Sequence, residues 1–191
     1  AGAIYCLDSS PIIRNTLIAN NTSIGGDTQC GGICCDEAGV AEIWNCTIVN
    51  NFPGGLFSTS WDGINVTNSI FWGNDRYQIQ MAECRPNVTF CDVQGGYPGE
   101  GNMAVDPCFL DPSDGAGTDY DGASANWTLR PHSPCINSGT LVGELPETDL
   151  AGAARVHCED PRRIWQVRRG STARFWIWGR TRARPICPCS P

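Results

Sequence analysis

The feature that most constrains this chain is a nine-residue unit that occurs four times in its first half. The unit begins at Ile13 and recurs at Ile43, Val66 and Val88, so that the intervals are 30, 23 and 22 residues. The longer first interval contains an additional loop around residues 22–30. Short β-branched runs separated by Asn and Gly, without the periodicity of an α-helix, are typical of the turns of a β-solenoid.

Each position of the repeat keeps one kind of side chain. The apolar columns are Ile13, Ile43, Val66, Val88 and Ile18, Ile48, Phe71, Val93; the small column is Thr16, Cys46, Ser69, Cys91; the Asn column is Asn15, Asn45, Asn68, followed by Phe90. A second motif of Gly and apolar residues precedes the unit at 2–6, 32–35 and 55–58. Stacked coils place like residues about 4.8 Å apart, so an Asn column can form hydrogen bonds from coil to coil. The sequence therefore predicts an all-β parallel solenoid.

These repeats and five later motifs resemble, in order, the C-terminal end of large secreted bacterial β-helix proteins. The later motifs lie at 68–74, 92–96, 106–112, 133–139 and 148–152. The family is that of right-handed parallel β-helix repeat proteins, the pectate-lyase-like superfamily. The resemblance implies a right-handed parallel β-helix with coils over 1–96, a final coil and loop-rich cap over 97–154, and a secreted or cell-surface location. Asp92 occupies a position that is usually polar in this family, and we predict a turn or ladder role for it.

The charge distribution changes near Arg155. Residues 1–154 contain four Arg and eighteen acidic residues, whereas 155–191 contain nine Arg and two acidic residues. The resemblance implies a continuation as Val-Asp-Met-Gly-Ala-Tyr-Glu, and residues 176–181 read as that motif translated one nucleotide late. We interpret 155–191 as a frame-shifted, disordered Arg-rich tail. The alternative is a genuine basic arm that binds an anionic polymer or a membrane.

Charge and hydropathy also restrict the partners. The acidic body lacks the basic face that nucleic acid binding requires, so we expect no nucleic acid partner. No run of about 18 apolar residues occurs, so we expect no membrane span. The first residues, AGAIYC, include neither a Met start nor a basic leader region, which favours a piece of a longer protein. We expect it to be a monomer.

The chain contains twelve Cys, which favours disulfides in an oxidising compartment, with small buried thiols as the alternative. Cys108 and Cys135 flank a Gly-rich acidic loop, and we predict a bridge between them. We expect no cofactor. A structural Ca²⁺ in that loop is an option beside a solvated turn, because carboxylates on a flexible loop supply the oxygen ligands that Ca²⁺ prefers. The candidate ligands are Asp111, Asp114, Asp119 and Asp121.

The resemblance also implies two kinds of catalytic apparatus to look for. Lyases of the superfamily use an Arg or Lys base beside calcium-binding acids, and hydrolases use Asp clusters with a Gly-His-Gly motif. This chain has no Lys, and His132 and His157 lie outside any such motif. The weak catalytic candidates are therefore Asp62, Asp75 and Arg76, with ordinary surface charges as the alternative.

Aromatic residues support a binding hypothesis. Trp44 and Trp72 occupy outward-leaning positions on related coils, and Trp61 lies in a loop. Flat rings on a solenoid face stack well on sugars, although burial beneath a flanking loop is the alternative. We expect an extracellular scaffold that binds polysaccharide or a surface partner and is non-catalytic in this fragment. The alternative is a fragment of a polysaccharide lyase or glycoside hydrolase whose active site lies upstream.

Overall fold

The computed structural model describes residues 2–25, 30–37, 39–82 and 85–140. These residues form four successive coils of three short strands each, followed by an antiparallel hairpin, and they include no helix. The predicted all-β parallel solenoid is confirmed. The predicted tail at 155–191 and the last part of the predicted cap, 141–154, lie outside the described residues.

The first strand of every coil contributes to one parallel sheet, sheet A. Its strands, in order, are β1 (Ile4–Leu7), β4 (Ile33–Asp36), β7 (Gly54–Ser58) and β10 (Tyr77–Met81). The register partners Ile4, Ile33, Leu56 and Ile79 all pack in the interior. The strand β10 lacks the Gly-containing motif of the other three, and the sequence analysis did not single it out.

The second and third strands of the coils form sheets B and C. Sheet B contains β2 (Ile12–Arg14), β5 (Ala41–Trp44), β8 (Ile64–Thr67) and β11 (Asn87–Thr89); sheet C contains β3 (Leu17–Ala19), β6 (Thr47–Val49), β9 (Ile70–Trp72) and β12 (Asp92–Val93). The register partners are the two predicted apolar columns, Ile13–Ile43–Val66–Val88 and Ile18–Ile48–Phe71–Val93. The predicted register is therefore confirmed in both sheets.

The inward side chains of the three sheets form one apolar core. Ile33, Ile43, Ile48 and Leu56 are each 0% exposed within it. Successive side chains of a strand point to opposite faces, so each three- or four-residue strand contributes only one or two residues to this core. A coil therefore buries its apolar face only against its neighbours, and stability accumulates along the stack.

Residues in the left-handed conformation form the corner between sheets B and C. Asn15, Asn45, Asn68 and Phe90 have φ values of 51°, 56°, 51° and 51°. Asn68 Nδ2 donates to Asn45 Oδ1 at 3.1 Å. Asn45 Nδ2 and Asn15 Oδ1, the two atoms that would continue this ladder, are buried without a hydrogen-bond partner. The predicted Asn ladder is therefore present between coils two and three and is not completed to coil one.

A longer amide ladder lies at the corner between sheets C and A. Asn21 Nδ2 donates to Asn51 Oδ1 at 2.9 Å, and Asn51 Nδ2 donates to Asn74 Oδ1 at 3.0 Å. Asn74 Nδ2 in turn donates to Gln78 Oε1 at 2.7 Å. The Asn51 side chain, 0% exposed, also donates to the Ile18 carbonyl at 3.0 Å. These bonds link all four coils through side chains.

A loop after β12 closes the end of the fourth coil. Cys91 N donates to Asn102 Oδ1 at 2.9 Å, and Asn102 Nδ2 donates to the Val88 carbonyl at 2.9 Å. Met103 forms a parallel bridge with Asp92. Asn102 thereby supplies hydrogen bonds that a fifth coil would otherwise make.

An antiparallel hairpin covers the outer face of sheet C. It consists of β13 (Phe109–Asp111) and β14 (Asn126–Leu129). The rings of Phe109 and Trp127 pack edge to face, with centroids 5.3 Å apart and an interplanar angle of 85°. A second apolar core forms here from Val49, Ile70, Phe109, Trp127, Leu129 and Cys135. The outer face of sheet C is therefore buried at Val49 and Ile70 and partly buried at Leu17, Ala19 and Trp72.

Candidate functional site

The outer face of sheet B, which we call the B face, carries two rows of side chains that cross the four coils. Strand alternation places them opposite the core. One row is Ile12, Glu42, Asn65 and Asn87, and the other is Arg14, Trp44, Thr67 and Thr89. All eight side chains are partly or fully exposed. The B face is therefore an ordered surface with a repeat of about 4.8 Å along the stack.

Hydrogen bonds between coils align the polar part of the B face. Asn87 Nδ2 donates to Asn65 Oδ1 at 3.3 Å, and the hydroxyls of Thr67 and Thr89 lie 3.3 Å apart. The sequence analysis missed these four residues. The signal was present, because the tripeptide Asn-Val-Thr occurs at both 65–67 and 87–89, which places an amide and a hydroxyl on the same side of each strand.

The aromatic part of the B face lies beside these rows. The Arg14 guanidinium lies over the Trp44 ring at 5.4 Å from its centroid, which is within cation–π range. Trp61 is 71% exposed in the turn between β7 and β8, where the chain enters sheet B. Two of the three predicted sugar-binding Trp residues therefore lie on or at the margin of one face.

The third predicted Trp lies elsewhere. Trp72 is in β9 of sheet C, and its outward side chain packs against the second core beneath the hairpin. It is half-buried. For Trp72 the structure shows the alternative that the sequence analysis left open, burial beneath a flanking segment.

The three catalytic candidates lie at two different corners. Asp62 is in the turn between β7 and β8, whereas Asp75 and Arg76 are between β9 and β10. The length of a five-residue strand, about 16 Å, separates these corners. Asp75 Oδ2 and Arg76 Nε lie 4.0 Å apart, and the side chains are 45% and 59% exposed. The structure therefore does not bring Asp62 close to Asp75 and Arg76. An ion pair as exposed as Asp75–Arg76 contributes little to the stability of the fold.

The acidic loop is docked on the coils through its backbone. Asn20 Nδ2 donates to the Gly115 carbonyl at 2.8 Å, and Asn50 Nδ2 donates to the Ser113 carbonyl at 3.0 Å. The amide of Gly117 donates to the Asn50 carbonyl at 2.8 Å. The loop and β3 border an open groove of about 650 Å³ that includes Tyr120.

The loop carboxylates do not converge on one point. Among the described residues, no three or more His, Cys, Asp or Glu side chains are grouped as metal ligands, and Asp111, Asp114, Asp119 and Asp121 are all exposed. Asp121 Oδ2 instead accepts from the Ser124 hydroxyl at 2.6 Å. This bond, with those from nearby backbone amides, lowers the pKa of Asp121. The predicted calcium site therefore gains no support from the geometry.

The predicted bridge between Cys108 and Cys135 is not present. Both thiols are free; Cys108 Sγ contacts the Asp106 carbonyl at 3.4 Å, and Cys135 Sγ donates to Asp92 Oδ2 at 2.9 Å. None of the eight described cysteines is in a disulfide, and six of them are buried. Burial raises the pKa of Cys91 to about 12, which keeps the thiol protonated. The six buried cysteines are thus small interior residues with reduced thiols, which is the alternative that the sequence analysis gave.

Asp92 connects the last coil to the segments that follow it. Its side chain, 0% exposed, accepts from the Val105 amide at 3.1 Å and from Cys135 Sγ. Burial raises the pKa of Asp92 to about 6. This carboxyl therefore anchors the covering segments to sheet C and does not face a substrate cleft.

The fold defines this chain as a parallel β-solenoid in which one face of the stack, the B face, is exposed and regular. Compared with known proteins, the chain matches no family profile, no curated protein and no solved structure. The class therefore rests on the strand order and register alone. In the part of the chain that the structure describes, no helix is long and apolar enough to cross a bilayer.

Proposed function

We propose that this chain is a module of a secreted or cell-surface, pectate-lyase-like right-handed β-helix protein, and that its B face binds an uncharged polysaccharide. The observation that carries the proposal is the pair of coil-to-coil hydrogen bonds, Asn65–Asn87 and Thr67–Thr89, beside Trp44. The module acts as a scaffold that holds a glycan and does not cleave it.

The chemistry of the B face suits a sugar chain. Sugar hydroxyls both donate and accept hydrogen bonds, as do the Asn amides and Thr hydroxyls of the two rows. The apolar face of a sugar ring packs on an aromatic ring such as that of Trp44. A glycan that runs along the stack meets the same donors and acceptors at each coil, so weak contacts add along its length.

Charge favours an uncharged glycan over a polyuronate. Of the eight side chains of the B face only Arg14 and Glu42 are charged, and their charges cancel. Residues 1–154 have a net charge of −14, from four Arg and eighteen acidic residues. An acidic polymer would be repelled by this body, whereas a neutral glycan would not.

The test is binding of the full chain to neutral polysaccharides (xylan, mannan and cellulose) and to polygalacturonate and alginate, with and without added salt. We expect binding to a neutral glycan that changes little with salt, because no counterions are released. Trp44→Ala should weaken it about tenfold, roughly 1.4 kcal/mol. Tyr120→Ala is the control, since Tyr120 is 44% exposed in the acidic loop, away from sheet B.

Each outcome has one meaning. Binding to polyuronates alone overturns the assignment to neutral glycans but keeps a binding module. Equal losses in Trp44→Ala and Tyr120→Ala remove the B face as the site. Release of unsaturated uronides or new reducing ends supports the lyase or hydrolase alternative, and no binding to any glycan contradicts the proposed function as a whole.

A further inference from the structure

We propose that Cys6 and Cys35 form a disulfide that joins coil one to coil two when the protein meets a disulfide oxidant such as oxidised glutathione. The proposal does not depend on the ligand of the B face. It rests on three observations about sheet A: the register of β1 and β4, the orientation of the two side chains, and the proximity of the two thiols.

Register places the two residues side by side. Cys6 in β1 is the parallel partner of Cys35 in β4. Neighbouring strands are about 4.8 Å apart, which lies inside the Cα separation that disulfides span, about 4.4–6.8 Å.

Both side chains point to the same side of the sheet and pack in or against the same core. Cys35 belongs to the apolar core, and Cys6 packs against that core. The two thiols lie close enough for each to shift the pKa of the other. The next residue of this column is Ser58, so Cys6 is the one cysteine in register with Cys35.

Neighbouring cysteines do not share this arrangement. Cys34 is adjacent in sequence, but it is the register partner of Tyr5 and Phe57 on the opposite face of the strand. Cys46 and Cys91 share a column at the corner between sheets B and C, but Ser69 lies between them in the stack. The structure therefore selects one pair among several candidates.

The reaction balances with glutathione disulfide as the oxidant. The Cys6 thiolate, on the more exposed of the two residues, attacks one sulfur of glutathione disulfide and releases one glutathione thiolate. The Cys35 thiolate then attacks the Cys6 sulfur and releases the second glutathione. The two protons of the cysteine thiols end on the two glutathione thiols. Because burial raises the pKa of both cysteines, that of Cys35 to about 12, we expect the reaction to be slow at neutral pH and faster at alkaline pH.

The experiment is oxidation of the folded full chain with glutathione disulfide, followed by digestion with trypsin without reduction. Because the chain has no Lys and the first Arg is Arg14, cleavage separates Cys6 from Cys35. We expect mass spectrometry to find the peptide 1–14 linked to the peptide 15–76, with two hydrogen atoms lost. Fragmentation of the linked pair assigns the second sulfur to Cys35 directly, without any variant.

Two matched variants sharpen the result. Cys35→Ser should abolish the linked peptide, and Cys34→Ser should retain it, with circular dichroism of both confirming the fold. The oxidised wild type should also unfold at a higher temperature than the reduced protein, since the bond closes a loop of about 29 residues in the unfolded chain. A folded protein in which Cys6 stays free, or becomes linked to Cys34 or another cysteine, overturns the proposal.

Discussion

Individual buried polar side chains hold neighbouring coils together. Asn51 is the centre of the ladder between sheets C and A: its Oδ1 accepts from the backbone and side chain of Asn21, and its Nδ2 donates to the Ile18 carbonyl and Asn74 Oδ1. Removing it leaves several polar groups unpaired in a site that water does not reach. A buried polar group without a partner costs about 1–3 kcal/mol.

We therefore expect Asn51→Ala to lower the free energy of unfolding by about 3 kcal/mol. Asn87→Ala is the matched control, because Asn87 is an exposed amide in a ladder bond and should cost less than about 0.5 kcal/mol. Urea unfolding monitored by circular dichroism measures both. Similar losses for the two variants would show that the buried ladder adds nothing beyond an exposed one.

Asp92 predicts a pH dependence of stability. Its pKa is raised by burial from 3.8 to about 6 in the folded protein, so the folded state holds this proton more tightly than the unfolded state. The stabilisation from that proton is fully present below the unfolded value and is lost as the pH rises through the folded value. Over this whole window the Asp92 contribution falls by about 3 kcal/mol.

Asp92→Asn should remove this dependence, because an amide stays neutral and its oxygen still accepts from the Val105 amide. Urea unfolding at about pH 4 and about pH 7.5 gives the difference between variant and wild type, which cancels the titration of the other carboxylates. We expect the variant to gain relative to the wild type by about 2 kcal/mol on going to the higher pH. A difference that stays constant with pH would contradict a raised pKa at Asp92.

At the scale of elements, the hairpin β13–β14 decides which face of the solenoid is covered. Trp127 is 3% exposed and packs on Phe109 above the outward side chains of sheet C. Without this cover, Val49 and Ile70 would expose apolar surface. The hairpin thus leaves the B face as the regular surface that meets solvent, which is why the ligand is assigned there.

Trp127→Ala should destabilise the protein by about 3–5 kcal/mol, since it leaves a cavity between the hairpin and sheet C. We also expect stronger fluorescence of an added hydrophobic dye, because the outer face of sheet C becomes accessible. Trp61→Ala, at a site that is 71% exposed, is the control and should change neither quantity appreciably. If both variants lose stability equally, the hairpin does not form a second core.

At the scale of the whole molecule, the described residues between 2 and 140 contain three parallel sheets, the antiparallel hairpin, two apolar cores and the loop that closes the fourth coil. We expect deletion of 155–191 to leave the thermal midpoint and glycan binding unchanged, as the frame-shift interpretation of the tail requires. Differential scanning calorimetry measures the midpoint, the neutral-glycan assay measures B-face binding, and heparin, an anionic polymer, tests the alternative of a basic arm. Loss of heparin binding on deletion would instead support the basic arm.

Particular residues show how far the sequence determines the structure. The apolar column that begins at Ile13 and the one that begins at Ile18 predicted the register of sheets B and C, because stacked coils place like residues next to one another. A slip of one residue would move the apolar side chains of a strand from the core to the outer face. The repeat also contained the Asn-Val-Thr pairs of the B face. These patterns involve residues that are close together in the sequence, so they can be recognised without the tertiary structure.

Tertiary structure alone decided what covers sheet C and which groups meet across it. The burial of Trp72, the docking of the acidic loop on Asn20 and Asn50, and the contact of Asp92 with Cys135 all join segments far apart in sequence. No periodicity links the partners of such contacts. The cysteines show the same division. Their positions on either side of the acidic loop suggested that Cys108 pairs with Cys135, whereas strand register places Cys6 beside Cys35. Two residues of a solenoid are neighbours when they occupy the same position in successive coils, and flanking one loop does not bring them together.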